Sequence, residues 1–210
     1  MTILALEFSS EQRSVAVARG GIILGEARES GGRSMAAFAM IEKVLALAKI
    51  EREEIETIVV GLGPGSYTGV RAAIALAQGW QLARGTKTIG VSSVAVIAEQ
   101  ARTEKLFGRV NIVVDAQRGE FYFATYNLAE TSLTEIAPLK ILPMAEVQSR
   151  AKAGEILIGP EAVRFFPNGR TVFPHASAVA VLAAGHGNFL AGEKLEPIYL
   201  RETNFVKAVK

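Results

Sequence analysis

The glycine-rich stretch from Gly61 to Arg71 (GLGPGSYTGVR) constrains the fold of this chain more than any other segment. It follows a β-branched run over 57–60, typical of a buried strand, and precedes an alanine-rich run over 72–83, typical of a helix. Glycine permits positive φ angles and close approach of other backbone, and Ser66 or Thr68 can cap the helix. The pattern predicts a tight strand-to-helix turn, with free N–H groups of the first helical turn directed at the loop.

Two interpretations of this turn stay open from its residues alone. Free N–H groups at a helix N-terminus can bind an anion such as a phosphate, but glycine-rich turns without any ligand are common. No lysine follows the glycines, so the turn is not a Walker A loop. Arg71, in the first helical turn, could pair with a phosphate or with a partner's carboxylate, although an arginine in such a place is usually solvated.

The order of predicted elements repeats once along the chain. An antiparallel meander of three strands, with a hairpin at Gly20-Gly21, leads into a helix, a strand, a helix and a strand. A second half begins near 103–108 and repeats this order before it is cut short. The order is that of the ribonuclease-H-like half-domain shared by actin, sugar kinases and Hsp70. We therefore predict an α/β, two-lobed, actin-like (ASKHA) fold, with an N-terminal lobe over 1–104 and a shortened C-terminal lobe over 105–210.

Two of the predicted helices carry apolar residues on more than one side. The helix over 34–49 has one apolar stripe that includes Phe38 and Ile41, and a second that includes Met40. The helix over 72–83 alternates small residues with Ile, Leu and Trp, which lets another helix approach closely. Because a surface helix has a narrower apolar face, each helix is covered either by the chain's own second half or by a partner. The predicted strands cover 2–8, 14–19, 22–29, 57–60, 86–91, 109–115, 120–127, 135–142 and 155–159.

Composition excludes several classes of function. The 210 residues contain no cysteine, which excludes disulfides, thiolate metal sites and a cysteine nucleophile. The net charge of +2, with no run of basic residues, argues against nucleic-acid binding by this chain alone. His175 and His186 lack the spacing of metal ligands and no Gly-x-Ser-x-Gly elbow is present, so we predict neither a metal site nor a catalytic residue. No signal peptide or membrane span is expected, which makes the cytoplasm the expected location.

Candidate phosphate-binding residues lie at the first-strand turn of each half and in the glycine-rich stretch. Carboxylates, hydroxyls and backbone N–H groups can together hold magnesium and phosphate. Ordinary turn chemistry is the alternative for Glu7 and Asp115, since Asp and Ser side chains also bond their own backbone in turns. The candidates are Glu7, Ser9, Ser10, Gly63, Gly65, Ser66, Thr68, Asp115, Arg118 and Glu120.

Several of these segments resemble the bacterial TsaB (YeaZ) family, small relatives of the TsaD/Kae1 ATPases. The most specific segment is 63–71 (GPGSYTGVR), with Ala77-Gln78-Gly79 after it. The supporting segments are 89–93 (IGVSS), 115–122 (DAQRGEFY) and 197–201 (PIYLR), so the resemblance covers nearly the whole chain. One departure falls at the end of the first strand, where relatives usually carry Asp-Thr-Ala/Ser and this chain has Glu7-Phe8-Ser9-Ser10.

The resemblance implies the two-lobed actin-like fold and a role in forming N6-threonylcarbamoyladenosine in tRNAs that read ANN codons. In that family TsaD carries out the transfer, TsaB is a partner not thought to catalyse, and the small ATPase TsaE joins the complex. The implied partners are a TsaD-like protein in a heterodimer, a TsaE-like ATPase and, in isolation, a second copy of this chain. Contact with tRNA would occur only through the complex. The chain itself would require no cofactor, and any ATP or ADP would bind at the interface with partners.

The resemblance also implies where the partner binds. Family members pair through their first two helices, here 34–49 and 69–83, as a four-helix bundle with the same helices of TsaD or of a second TsaB. A charged residue at Ala75 or Met40 is accordingly expected to break pairing and to leave the fold intact. The implied interface residues are Met35, Ala36, Met40, Val44, Leu47, Arg71, Ala72, Ala75, Gln78, Gly79 and Leu82.

Two alternatives from other functional classes stay open. An actin-fold ATPase or small-molecule kinase acting alone would use Glu7, Asp115 and the glycine-rich stretch. Calorimetry of the isolated chain with ATP and magnesium distinguishes that enzyme from a non-catalytic subunit. A glycopeptidase-like hydrolase would need paired metal-binding histidines, which the sequence lacks.

Overall fold

The computed structural model describes residues 1–31, 36–184 and 189–201. The strands are β1 Thr2–Glu7, β2 Gln12–Arg19, β3 Ile22–Ser30, β4 Thr57–Gly61, β5 Lys87–Val91, β6 Gly108–Asp115, β7 Glu120–Leu128, β8 Leu133–Pro143, β9 Leu157–Gly159 and β10 Arg170–Thr171. The helices are α1 Ala37–Ala48, α2 Tyr67–Arg84, α3 Ser93–Thr103, α4 Met144–Lys152, α5 Ala162–Phe165 and α6 Ala176–Ala184. Short 3₁₀ turns lie at Arg52–Glu54 and Gly192–Lys194. Among the helices of these residues, none has the length and apolar content needed to cross a bilayer.

Two five-stranded sheets with the same strand order form the frameworks of the two lobes. The first sheet has the order β3-β2-β1-β4-β5, and the second has the equivalent order β8-β7-β6-β9-β10. In each sheet the first three strands form an antiparallel meander, and the last two strands add in parallel beside the first. The predicted repeat is confirmed, and the architecture is the two-lobed, actin-like α/β fold.

Helices and sheets alternate in layers. Helices α1 and α2 cover one face of the first sheet, where residues such as Val44 and Ala73 pack on β1 and β4 side chains. Helix α6 covers the opposite face of that sheet. Helix α3 packs between α6 and the second sheet, and α4 and α5 lie on the outer face of the second sheet. Both sheets are therefore covered on both faces, as their central apolar strands require.

The chain returns to the first lobe after β10, over residues 176–184 and 189–195. Helix α6 packs against β1 and β2, and the backbone N–H of Ala176 donates to Ser14 Oγ at 2.8 Å. Leu190 then bridges to Thr88, and Leu195 enters the core beneath α1 and α2. The prediction that 105–210 forms the second lobe is therefore corrected for the described residues after β10. Helix α6 (ASAVAVLAA) is apolar on all sides, so it is stable only where both of its faces are buried, between the first sheet and α3.

The helix after the glycine-rich turn begins five residues earlier than the sequence predicts. Ser66 is its N-cap and accepts a hydrogen bond from the backbone N–H of Gly69 at 3.2 Å, while Gly85 ends the helix with a φ of 70°. This confirms the predicted capping by Ser66, whereas Thr68 lies inside the first turn and is exposed. The first residues of the helix predicted over 34–49 lie outside the described residues.

Candidate functional site

The chain's own backbone occupies the space in front of the glycine-rich turn. The N–H of Ser66 donates to the carbonyl oxygen of Ser9 at 2.6 Å. A Cβ on Gly65 would lie 2.1 Å from that same oxygen, and a Cβ on Gly69 would lie 1.9 Å from the carbonyl oxygen of Phe8. These glycines are therefore needed so that the β1–β2 turn can pack against the start of α2. The β1–β2 turn thus takes the N–H of Ser66 and the space beside Gly69, whereas Gly65 and Ser66 also line the cleft described below.

Glu7 lies behind the turn and holds it together. Its carboxylate is fully buried, and it accepts hydrogen bonds from Ser9 N at 2.8 Å and from Ser93 Oγ at 2.9 Å. Ser93 in turn accepts from Gly63 N at 3.0 Å and donates its own N–H to Gly63 O at 2.8 Å. A Cβ on Gly61 would lie 2.0 Å from Glu7 Oε2, so glycine there leaves room for the longer acidic side chain. Glu7 and Gly63 therefore join β1, the turn and α3, and the prediction that they face a phosphate is corrected.

A cleft of about 470 Å³ separates the two lobes beside the turn. One wall comes from the β1–β2 turn and the start of α2, and the other from the β6–β7 turn and α5. Of the predicted residues, Ser9, Ser10, Gly65, Ser66 and Asp115 line it. The cleft-lining residues that the sequence analysis missed are Glu11, Tyr67, Val114, Ala116, Gln117, Tyr122, Glu161, Arg164 and Tyr199.

The charges in the cleft do not favour a polyphosphate. Three carboxylates line it, from Glu11, Asp115 and Glu161, against the guanidinium of Arg164. Burial raises the pKa of Glu161, and the Asp115 carboxylate raises it further, while hydrogen bonding offsets part of the rise. Asp115 also accepts from Gln117 N at 2.7 Å, which is the turn chemistry predicted as its alternative role. Within the described residues no three His, Cys, Asp or Glu side chains are grouped as metal ligands.

The other predicted phosphate-facing residues lie elsewhere. Thr68 and Arg118 are exposed, the first on α2 and the second at the tip of the β6–β7 turn. Glu120 forms an ion pair with Arg201. None of these three residues lines the cleft, so the structure does not bring them together with Ser9, Ser66 and Asp115 in one site. His175 is buried and its Nε2 lies 2.7 Å from Gln12 Oε1, whereas His186 lies outside the described residues.

The exposed side of α2 forms a ridge of small residues between an arginine at one end and a leucine at the other. Ala75 and Gly79 are exposed along the ridge, and Leu82 has 91% of its surface exposed. Arg71 extends from the first turns, with its guanidinium 5.0 Å from the ring centroid of Tyr67. Small side chains at this spacing let a second helix approach closely. We call these four residues, Arg71, Ala75, Gly79 and Leu82, the α2 ridge.

A groove of about 560 Å³ lies beside the ridge, between α1 and α2. Phe38 on its α1 side is 69% exposed, which is unusual for a large apolar side chain. The ion pair between Arg84 and Glu53, at 3.1 Å, closes one end. Leu47 is also exposed on α1, but it lies on the side near Gly25 of β3 and does not line this groove. The remaining lining residues are Ile41, Arg52, Ala75, Leu76, Gly79, Trp80 and Ala83.

Three of the implied interface residues have their contacts inside the chain. Met40 and Val44 are buried in the core beneath α1, because the helix turns this side towards the first sheet. Gln78 donates from Nε2 to the carbonyl oxygen of Gly192 at 3.0 Å and is half-buried. These placements correct the implied interface. Ala36 is exposed at the start of α1, Ala72 is half-buried, and Met35 lies outside the described residues.

Sequence comparison with known proteins identifies the family of this chain. The family model described as TsaD, tRNA N6-adenosine threonylcarbamoyltransferase, matches residues 4–191. The tRNA threonylcarbamoyladenosine biosynthesis protein TsaB of Escherichia coli is 28% identical over 96% of this chain and 95% of its own length. The chain belongs to this family, among the TsaB (YeaZ) proteins.

Solved structures of YeaZ proteins share the same fold. A crystal structure from Pseudomonas aeruginosa, described as an uncharacterized protein with similarity to peptidase YEAZ, superposes with a TM-score of 0.81 at 29% identity. The superposition covers 95% of this chain and 99% of the Pseudomonas aeruginosa chain. A second structure, YeaZ from the same organism, has a TM-score of 0.80 at 28% identity, with the same coverage. The two-lobed architecture is therefore that of the TsaB family over nearly the whole chain.

The buried carboxyl of this TsaB-family chain gives a pH-dependent prediction. Burial raises the pKa of Glu7 above its ordinary value of 4.5, and the hydrogen bonds from Ser9 and Ser93 offset part of the rise. The folded state therefore binds this proton more tightly than the unfolded state, and stability is lost as pH rises above 4.5. The free energy of unfolding of Glu7→Gln, minus that of the wild type, is expected to increase with pH through this range.

Urea unfolding of both proteins at a series of pH values measures this difference. All other titrating groups are shared, so their contributions cancel when one free energy is subtracted from the other. The glutamine alters the hydrogen bonds by an amount that does not depend on pH, so only the slope of the difference is diagnostic. A slope of zero would show that folding leaves the pKa of Glu7 unchanged, and a slope of the opposite sign would show that the folded state stabilises the carboxylate; either result would contradict the prediction.

Proposed function

We propose that this chain is a non-catalytic subunit that binds a TsaD-like protein and supports formation of N6-threonylcarbamoyladenosine in tRNA. The names of its relatives support the pathway, since the E. coli protein is named for tRNA threonylcarbamoyladenosine biosynthesis. In this proposal a TsaE-like ATPase joins the complex, tRNA is contacted only through the complex, and the complex acts in the cytoplasm on ANN-decoding tRNAs. In isolation the chain would pair with a second copy of itself.

The observation that carries this proposal is the exposed face formed by the α2 ridge and the groove beside it. Phe38 and Leu82 are each more than half exposed on this face. Ala75 and Gly79 lie between them and leave space for the backbone of another helix. An apolar face of this kind is typical of a protein–protein interface, where a partner's helices complete the packing.

The arrangement around the cleft supports a non-catalytic role. The alternative, an ATPase or kinase acting alone, needs a carboxylate and a phosphate-binding turn that face the same space. Glu7 is buried behind the turn, and backbone of the β1–β2 turn packs on one side of Gly65 and on Gly69. Of the two carboxylates that this alternative would use, Glu7 and Asp115, it is Asp115 that lines the cleft. We therefore propose that the chain needs no cofactor of its own, and that any ATP or ADP binds where partners meet.

The variant Ala75→Glu tests the proposed interface. Ala75 is exposed, so the fold should be retained, but a partner helix packed on the ridge would bury the new carboxylate. We expect the affinity for a TsaD-like partner to fall by a factor of roughly 30 or more, which is the effect of losing about 2 kcal/mol at an interface hot spot. Titration calorimetry with the TsaD-like protein of the same organism measures it, and gel filtration reports self-association.

Ala145→Glu is the matched control, because Ala145 is also an exposed helical alanine but lies on α4, in the outer layer of the second lobe. It is expected to bind the partner as the wild type does. Equal affinities for the two variants would show that the partner does not bind the α2 ridge.

A further inference from the structure

The segment over 197–201 touches both lobes at the cleft. The N–H of Ile198 donates to the carbonyl oxygen of Leu62 at 2.9 Å, which attaches the segment to the first lobe beside the glycine-rich turn. Three residues later, Arg201 donates to the carbonyl oxygen of Ala116 at 3.1 Å and forms an ion pair with Glu120. Both of these residues belong to the β6–β7 region of the second lobe. The segment therefore spans the gap between the lobes in a few residues.

An aromatic contact strengthens the attachment to the first lobe. The ring of Tyr199 stacks on that of Tyr67, with centroids 5.8 Å apart and planes inclined by 26°. Both rings also line the cleft, so the segment forms part of its rim. Tyr67 in turn accepts a hydrogen bond from Arg71 Nη1 at 2.9 Å, which connects the segment to the α2 ridge.

The two ends of the segment differ in how firmly they are held. The end at Ile198 is fixed by a backbone hydrogen bond and by the aromatic stack. The end at Arg201 is held by side-chain contacts, and the Arg201 and Glu120 side chains are 34% and 41% exposed. Water and salt reach this ion pair and weaken it. The Arg201 end is therefore the one that can separate while the rest of the segment stays in place.

We propose that residues 197–201 form a latch that fixes the separation of the two lobes across the cleft, with Arg201 as its releasable end. Release of Arg201 lets the β6–β7 turn move away from the glycine-rich turn and widens the cleft. It also allows the Tyr199 ring to separate from the Tyr67 ring. Because Tyr67 accepts a hydrogen bond from Arg71, this separation changes the position of Arg71 on the α2 ridge. This inference goes beyond the proposed function and does not depend on it, because the latch acts within one chain.

The distance between the lobes tests the latch directly. The sequence has no cysteine, so Ser30→Cys and Gln148→Cys introduce two unique, exposed positions for spin labels, one on each lobe. Labelled protein diluted with unlabelled protein then reports, by pulsed electron paramagnetic resonance, only distances within one chain. We expect a single narrow distance distribution in this background. With Arg201→Ala added, we expect a broader distribution shifted by several ångström to longer distance.

Two further variants complete the experiment. Arg84→Ala also removes a partly exposed ion pair, with Glu53, but inside the first lobe, so it should leave the distribution unchanged. Arg201→Glu should broaden the distribution, and adding Glu120→Arg should narrow it again by restoring an ion pair of reversed polarity. The proposal is overturned if Arg201→Ala matches the background, if Arg84→Ala broadens the distribution as much, or if the charge swap is no narrower than Arg201→Glu alone.

Discussion

Gly69→Ala is expected to destabilise the chain by about 3 kcal/mol or more, the range of severe steric conflict in a packed core. The alanine Cβ would lie 1.9 Å from the carbonyl oxygen of Phe8 and 3.0 Å from its carbonyl carbon. Phe8 is fully buried at the end of β1, so its backbone cannot move without displacing the β1–β2 turn. The sign of the change in the free energy of unfolding is diagnostic, because alanine in place of glycine inside a helix ordinarily stabilises by up to roughly 1 kcal/mol.

Gly79→Ala supplies the control for that measurement. Gly79 lies on the same helix, and nothing in the described part of the chain is within 4 Å of its added Cβ. We expect this variant to gain roughly 0.5–1 kcal/mol in its free energy of unfolding, from intrinsic helix propensity. Urea unfolding followed by circular dichroism compares the two. If Gly69→Ala were as stable as Gly79→Ala, the close approach of the β1–β2 turn to α2 would be disproved.

Met40→Asp is expected to destabilise the fold by about 4 kcal/mol, the magnitude for a buried charge without a partner combined with lost packing. Met40 is 6% exposed and packs in the core between α1 and the first sheet. This outcome replaces the expectation from the sequence that a charge at Met40 leaves the fold intact. Thermal and urea unfolding measure it on the isolated chain.

Leu47→Asp is the matched control on the same helix. Leu47 is 58% exposed, so an aspartate there should change stability by less than about 0.5 kcal/mol, as exposed substitutions usually do. If Met40→Asp were instead as stable as Leu47→Asp, α1 would have to be rotated so that Met40 faces the solvent.

Local patterns account for most of the predicted elements. The β-branched and alternating runs gave nine strands within a few residues of their observed ends, because strand periodicity and turn residues act over short distances. Helices α5 and α6 and strand β10 were missed. Helix α6 is an Ala- and Val-rich run whose pattern does not show which face is buried, while α5 and β10 span only four and two residues.

The candidate site was predicted less completely than the fold. Ser9, Gly65 and Asp115 were recognised because they lie in turns whose residue types are informative on their own. Glu161 was missed because it reaches the cleft from a distant segment without any motif around it, and Tyr199 was missed because nothing in its segment shows that it lies at the cleft. The TsaB-like segment over 197–201 was noted in the sequence, but its contacts with both lobes could not be inferred there.

The order of helices and strands along the chain, its repeat in the two halves and the glycine-rich turn could be predicted without a structure, because each depends on neighbouring residues. The tertiary structure was needed to establish which side of α1 faces the core, since that helix is apolar on two sides and either rotation satisfies its pattern. It also decided that Glu7 is buried behind the turn, where Gly61 leaves space for its carboxylate. These outcomes follow from contacts between residues far apart in the chain, and a local pattern carries no information about such contacts.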